Sequence, residues 1–258
     1  MNRLPVLFIG HGSPMNAIED NPFSRYWTEL GKRLPKPEAV LSISAHWFTS
    51  GTRVSDTQNP KMVYDMYGFP DALYKVRYPA PGAPRVAGLV RELLGDAVQV
   101  DNAWGLDHGT WSVLRRLFPL ADVPVLQLSV DRRASMREHF AMGEALRPLR
   151  ERGVLILGSG NIVHNLARVT WEMDGGYPWA DAFDAYVKRG IVDRDFESVI
   201  AYEQAGPPAA YAFGSPDHYA PLLYVLGAAS ARDNVTVFNE ASVYGSLSMT
   251  SYLFAGRE

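Results

Sequence analysis

Six histidines punctuate the chain: His11, His46, His108, His139, His164 and His218. Imidazole titrates near neutrality, and its neutral form is a common ligand for transition metals. Cysteine is absent, which removes thiolate nucleophiles, disulfides and Cys-held zinc or iron-sulfur sites. Any metal must therefore be held by histidine and carboxylate.

Three of the histidines stand where a strand-like run ends. His11 follows "VLFIG", His46 follows "VLSISA", and His164 comes four residues after "VLILGSG". In open α/β sheets ligands bind beyond the carboxyl ends of the strands, so these side chains can converge despite their separation in sequence. Gly10, Gly12, Gly109, Gly158 and Gly160 each lie within six residues of one of the histidines, and glycine permits sharp turns and close backbone approach to a ligand. His108 in "GLDHGTW" and His218 in "SPDHYAPLL" precede helix-like segments. A helix N-terminus favours anions, so a neutral imidazole there can hydrogen-bond an anionic substrate. His139 differs, lying inside a helical pattern beside Met136, Phe140 and Gly143; it reads as a packed structural residue.

The elements that must position these groups alternate along the chain. Short apolar runs at 5–10, 39–44, 123–130, 153–160 and 235–240 have the length and β-branched content of strands covered on both faces. Between them, 21–34, 83–95, 109–118, 135–153 and 216–229 carry apolar residues at helical spacing. Ser135 and Glu138 have capping-box spacing, and Pro148 is expected to kink or shorten that helix. This alternation predicts an α/β fold with a mostly parallel central sheet and helices on both faces, in a single domain over 1–258. Segment 51–82, rich in Pro, Gly and Tyr, reads as a long excursion able to cover a pocket. "SVYGSLSMTSYLF" alternates small and aromatic residues in the manner of an edge strand.

Composition narrows the function classes. The 258 residues are 47% hydrophobic and 21% charged, enough to bury a full core. Formal net charge is −3 with no long basic run, so nucleic acid and anionic membranes are not expected partners. No apolar stretch reaches the roughly 20 residues of a membrane span, and "MNRLPVLFIG" is too short in apolar residues for a signal peptide; the expected location is cytoplasmic. "ILGSGNIVHN" follows a strand like a phosphate loop but fits neither dinucleotide nor P-loop spacing, and Ser13 lies outside any G-x-S-x-G elbow.

Six stretches spread over nearly the whole chain carry a family resemblance. "GHGSPMNAI", "ISAHW", "YDMYGFPDALYKVRYPAPG", "LDHGTWSVL", "ILGSGNIVHNL" and "SPDHYAPLLYVLGAA", in this order, resemble the class III extradiol ring-cleavage dioxygenases, and among them the bacterial and plant DOPA 4,5-dioxygenase type. The resemblance implies one divalent non-haem metal, Fe(II) for activity, with Zn(II) able to occupy the site in purified protein. It implies His11 and His46 as the first two ligands and His218 as the third, where protocatechuate-type members use a glutamate. His164 matches the family's acid/base histidine and can also serve as a fourth ligand when substrate is absent. His108 matches a histidine that contacts the substrate and oxygen. The implied partners are a small-molecule catechol and O2, with a homo-oligomer left open.

Two rivals remain at this level. One is a zinc-dependent hydrolase in the same pocket, which needs a carboxylate base such as Asp107 or Asp217. The other is a non-enzymatic binding protein on the same fold.

Overall fold

The computed structural model describes residues 3–256. Its ten strands are β1 (Val6–Gly10), β2 (Ala39–Thr49), β3 (Thr52–Val54), β4 (Val98–Val100), β5 (Val125–Asp131), β6 (Val154–Gly160), β7 (Asp233–Phe238), β8 (Ser242–Val243), β9 (Leu247–Ser248) and β10 (Ser251–Gly256). Its α-helices are α1 (Pro22–Arg33), α2 (Asp71–Tyr74), α3 (Pro84–Leu94), α4 (His108–Leu117), α5 (Met136–Leu146), α6 (Pro178–Val192), α7 (Phe196–Ile200), α8 (Ala209–Ala212) and α9 (Ala220–Ala228).

Eight strands form one sheet in the order β4-β3-β5-β2-β6-β1-β10-β7. Its centre, β5-β2-β6-β1, is all parallel. The flanks are mixed: β10 runs antiparallel to β1 and β7, and β3 runs antiparallel to β5. The continuous apolar runs of the central strands reflect cover on both faces. In β1, Val6 and Phe8 enter one core while Leu7 and Ile9 enter the other; β6 divides Val154 and Ile156 from Leu155 and Leu157 in the same way. Residues of α3, α5, α6, α7 and α9 pack on the first face, and those of α1 and α4 on the second. All nine residues of α9 are buried, so that helix has no polar face to show.

The five expected strands and five expected helices are present, with shifted ends. Ser135 and Glu138 do form a capping box on α5. That helix stops at Leu146, and Arg147–Arg152 continue as a 3-10 turn around Pro148, which has no N–H to extend the α-helical ladder. The last expected helix starts at Ala220, after a turn in which Tyr219 N and Ala220 N both bond Pro216 O. Three differences matter more. The alternating C-terminal stretch is no edge: β10 lies inside the sheet, since β7 pairs along its outer side. Segment 51–82 holds β3 and α2. The 15-residue α6 lies outside every expected element, although Ala180, Phe183, Val187 and Ile191 have helical spacing and are all fully buried.

Candidate metal centre

The parallel strands end at one place, and the histidines are delivered there by local chain geometry. His11 is the residue after β1, and its N–H bonds Gly160 O at the end of the neighbouring β6 (3.0 Å). Gly12 then turns the chain at φ +56°, a left-handed conformation that suits glycine. His46 sits in an irregularity of β2. Between Ile43 and Phe48 the register against β5 advances five residues on β2 but two on β5, from Leu128 to Val130, a bulge that re-aims side chains at the sheet end. His218 precedes α9. Its carbonyl accepts from Asn161 N (2.9 Å), and a Cβ at Gly160 would lie 2.0 Å from that oxygen; only glycine lets the two chains approach. His164 is held by its own N–H on Ala212 O (2.8 Å) and by bridges to Phe213 and Leu247. His108 is the first residue of α4.

Ligand atoms of His11, His46 and His218 all lie within 4.8 Å of one another. The hydrogen bonds around them assign the lone pairs. Ser159 Oγ donates to Gly109 O (2.6 Å), so it accepts from His11 Nδ1–H (2.9 Å). Asp217 Oδ2 is 2.9 Å from His218 Nδ1 and accepts its proton. Both Nε2 atoms are thereby left as acceptors. His218 Nε2 is buried without a hydrogen-bond partner, and His11 Nε2 faces His46 Nε2 at 3.1 Å. Converging buried lone pairs repel each other unless a cation lies among them. The donor set therefore fits one divalent ion held by nitrogen.

The electrostatics agree. Burial, reinforced by the neighbouring imidazoles, holds His11, His46 and His164 well below the usual histidine range, so they stay neutral and able to bind metal. Burial pushes Asp217 upward, but His218 and Ser215 outweigh it and bring its carboxyl down to about 2.

His164 stands outside the three-histidine group. Its ring stacks on His218 with centroids 3.5 Å apart and planes 4° from parallel. His108 packs on His46 at 3.9 Å. His139 is elsewhere, its Nδ1 3.1 Å from Tyr224 OH between α5 and α9, in agreement with the packed role read from its helical setting.

Neither carboxylate that a hydrolase would need is free. Asp107 caps α4: Ser44 Oγ and Thr110 N bond Oδ1, while Gln127 Nε2 and Trp104 Nε1 bond Oδ2. Asp217 is committed to His218 Nδ1 and Ser215 Oγ. The acidic residue that does reach the centre is Asp65, from the 51–82 excursion. It lies 3.2 Å from His46 Nδ1 and 3.1 Å from His108 Nδ1. Its stretch carries part of the family resemblance, but nothing local in the sequence marks which acid of an irregular loop turns inward.

A mostly parallel α/β sheet with imidazole donors gathered at its strand ends is an arrangement that could hold a metal ion. Residues 5–255 match the family described as the catalytic LigB subunit of aromatic ring-opening dioxygenase, and the chain belongs to that family. It is 45% identical over 256 residues to the 4,5-DOPA dioxygenase extradiol of Escherichia coli K12, covering 96% of this chain and 94% of that one. It is 37% identical to the enzyme of the same name from Beta vulgaris, covering 98% and 97% of the two chains. The crystal structure of an uncharacterized protein from Escherichia coli K12 superposes with a TM-score of 0.86 at 42% identity, covering 97% of this chain and 99% of that one. Enzymes of this family bind a metal, and the residues that could hold one here are those assembled above. Among the described residues no helix is long and apolar enough to cross a membrane.

Proposed function

We propose that this chain opens the ring of a catechol, DOPA-like or otherwise substituted, by extradiol cleavage with O2 at one ion held by His11, His46 and His218. The observation that carries the reading is the set of three converging imidazoles, with His218 Nε2 buried and unpartnered, flanked by two further imidazoles. Fe(II), when bound there, supplies the one-electron chemistry that O2 needs to react with a spin-paired ring, whereas zinc lacks redox chemistry and is an inactive occupant.

The protein's own part is to bind, orient and move protons. A catechol must shed hydroxyl protons to chelate through both oxygens, and an imidazole is suited to take them. His164, neutral and stacked on His218, is the acceptor. His108 contacts the substrate from the His46 side and returns a proton as the ring opens. Both atoms of O2 enter the product, and the bond broken lies beside the pair of hydroxyl-bearing carbons, giving a muconic semialdehyde. Imidazole binds a metal in its uncharged form, so three such ligands leave the charge of a divalent ion uncompensated and favour the anionic catecholate.

The test is reconstitution with Fe(II) under anaerobic reducing conditions, followed by O2 consumption with a panel of catechols. Uptake of O2 with a yellow product is expected. An iron-loaded protein that consumes none with any catechol contradicts the assignment.

A further inference from the structure

The geometry points to Asp65 as a positioning residue that fixes the ring orientation and tautomer of two histidines at once, the ligand His46 and the substrate-side His108. The inference rests on the three-histidine reading above and adds a residue to it.

Asp65 is aimed by its neighbours rather than by its own loop. Val63 N bonds Leu106 O (2.7 Å), and Trp111 Nε1 bonds Val63 O (3.0 Å). On the other side Tyr64 packs on Trp111 and bonds Val76 O (2.6 Å). These contacts tie the excursion to the start of α4. The backbone N–H of His108 then donates to Asp65 Oδ1 (3.0 Å), which secures the carboxylate at the helix N-terminus. From there Oδ1 lies 3.1 Å from His108 Nδ1, and Oδ2 lies 3.2 Å from His46 Nδ1. Its side chain is 11% exposed. Among the described residues, Oδ2 of Asp65 and Nδ1 of His108 are buried without an aligned hydrogen bond, so the carboxylate acts on the two rings through its charge at 3.2 and 3.1 Å.

An ionised carboxylate can only accept. Its charge beside both Nδ1 atoms favours the tautomer with a proton on each and a lone pair on each Nε2. For His46 this removes the alternative in which Nε2–H donates to His11 Nε2, and all three ligand nitrogens then point lone pairs at one position. For His108 the same charge leaves Nε2 open toward the substrate to take up a proton and then return it as the ring opens, with Asp65 beside the ring while it is protonated. One residue thus governs both how tightly an ion is held and how fast the held site turns over.

The experiment compares the full chain with its Asp65→Asn and Asp65→Ala variants in three measurements. These are Co(II) affinity of the metal-free protein by visible absorption, steady-state kinetics at saturating Fe(II), and the thermal midpoint of the metal-free protein. For Asp65→Asn, which keeps the shape and one acceptor oxygen, the dissociation constant for Co(II) is expected to rise about 10- to 100-fold. At saturating metal kcat falls about 10-fold while KM for the catechol stays within about a factor of two. The thermal midpoint is unchanged, and Asp65→Ala shows the same losses more strongly. Unchanged Co(II) affinity and kcat in Asp65→Asn overturn the proposal, as do losses that merely follow a fall in thermal midpoint. Parent protein that takes up no Co(II) would instead overturn the three-histidine site itself, independently of any activity measurement.

Discussion

His11 and His139 are each 1% exposed, yet they live in opposite surroundings. His139 is alone in the packing between α5 and α9, its Nδ1 paired with Tyr224 OH, and burial draws it down to about 4. His11 has four other histidines close by. It neighbours His46, His108 and His218 at ring separations of 5.1, 5.6 and 5.3 Å, and His164 stacks on the last of these. Burial alone therefore does not distinguish a structural imidazole from a functional one. What differs is the fate of the second nitrogen. At the strand ends the hydrogen bonds consume Nδ1 and aim Nε2 at a shared point, whereas the helix interface has no such point.

Substitutions on the two sides should separate activity from stability. The largest effect is expected for His11→Ala and His46→Ala, which lose metal by elemental analysis and show no measurable turnover while the metal-free protein stays folded by circular dichroism. Full metal occupancy in the His11 variant would falsify its role. Next comes His164→Ala, expected to retain metal and to lose about 10²- to 10⁴-fold in kcat, the usual span for removing a general acid or base. If its metal content drops with its rate, His164 is a ligand and not only a proton carrier.

On the other side, His139 should affect pH-dependent stability and leave turnover intact. Its folded pKa of about 4 lies below the unfolded value of 6.5, so the unfolded chain binds more protons between those pH values. The stability this neutral residue permits is complete above pH 6.5 and is lost as pH falls toward 4, by roughly 3 kcal/mol. His139→Gln should flatten that slope in denaturant titrations of the metal-free protein; an unchanged slope would assign the acid sensitivity elsewhere. The smallest effect is expected from Gly160→Ala. Its Cβ meets His218 O at 2.0 Å, a crowding worth about 1–3 kcal/mol, which calorimetry reads together with weakened metal retention as His218 is displaced.

Much of this arrangement is legible in the sequence because it depends on local rules. Apolar runs followed by glycine and histidine mark both the strands and the end of the sheet where their side chains emerge, and the Ser135/Glu138 spacing marks the start of α5. Two kinds of feature are harder to read. The position of β10 depends on β7 pairing along its far side, a long-range choice that the alternation of small and aromatic residues does not encode. Asp65 lies in a stretch without periodicity and reaches His46 and His108 only because Trp111 and Leu106 hold Val63. The helix α6 is a different case: its pattern at Ala180, Phe183, Val187 and Ile191 is regular, and Pro178 at its start is an ordinary helix signal.

Where the ion sits is decided by a crystal structure of anaerobically iron-loaded protein with anomalous difference maps collected on both sides of the iron edge. One iron peak is expected, bounded by Nε2 of His11, His46 and His218, with Asp65 outside the coordination sphere. A peak between His46, Asp65 and His108, the other group whose ligand atoms lie within 4.8 Å of one another, would contradict it.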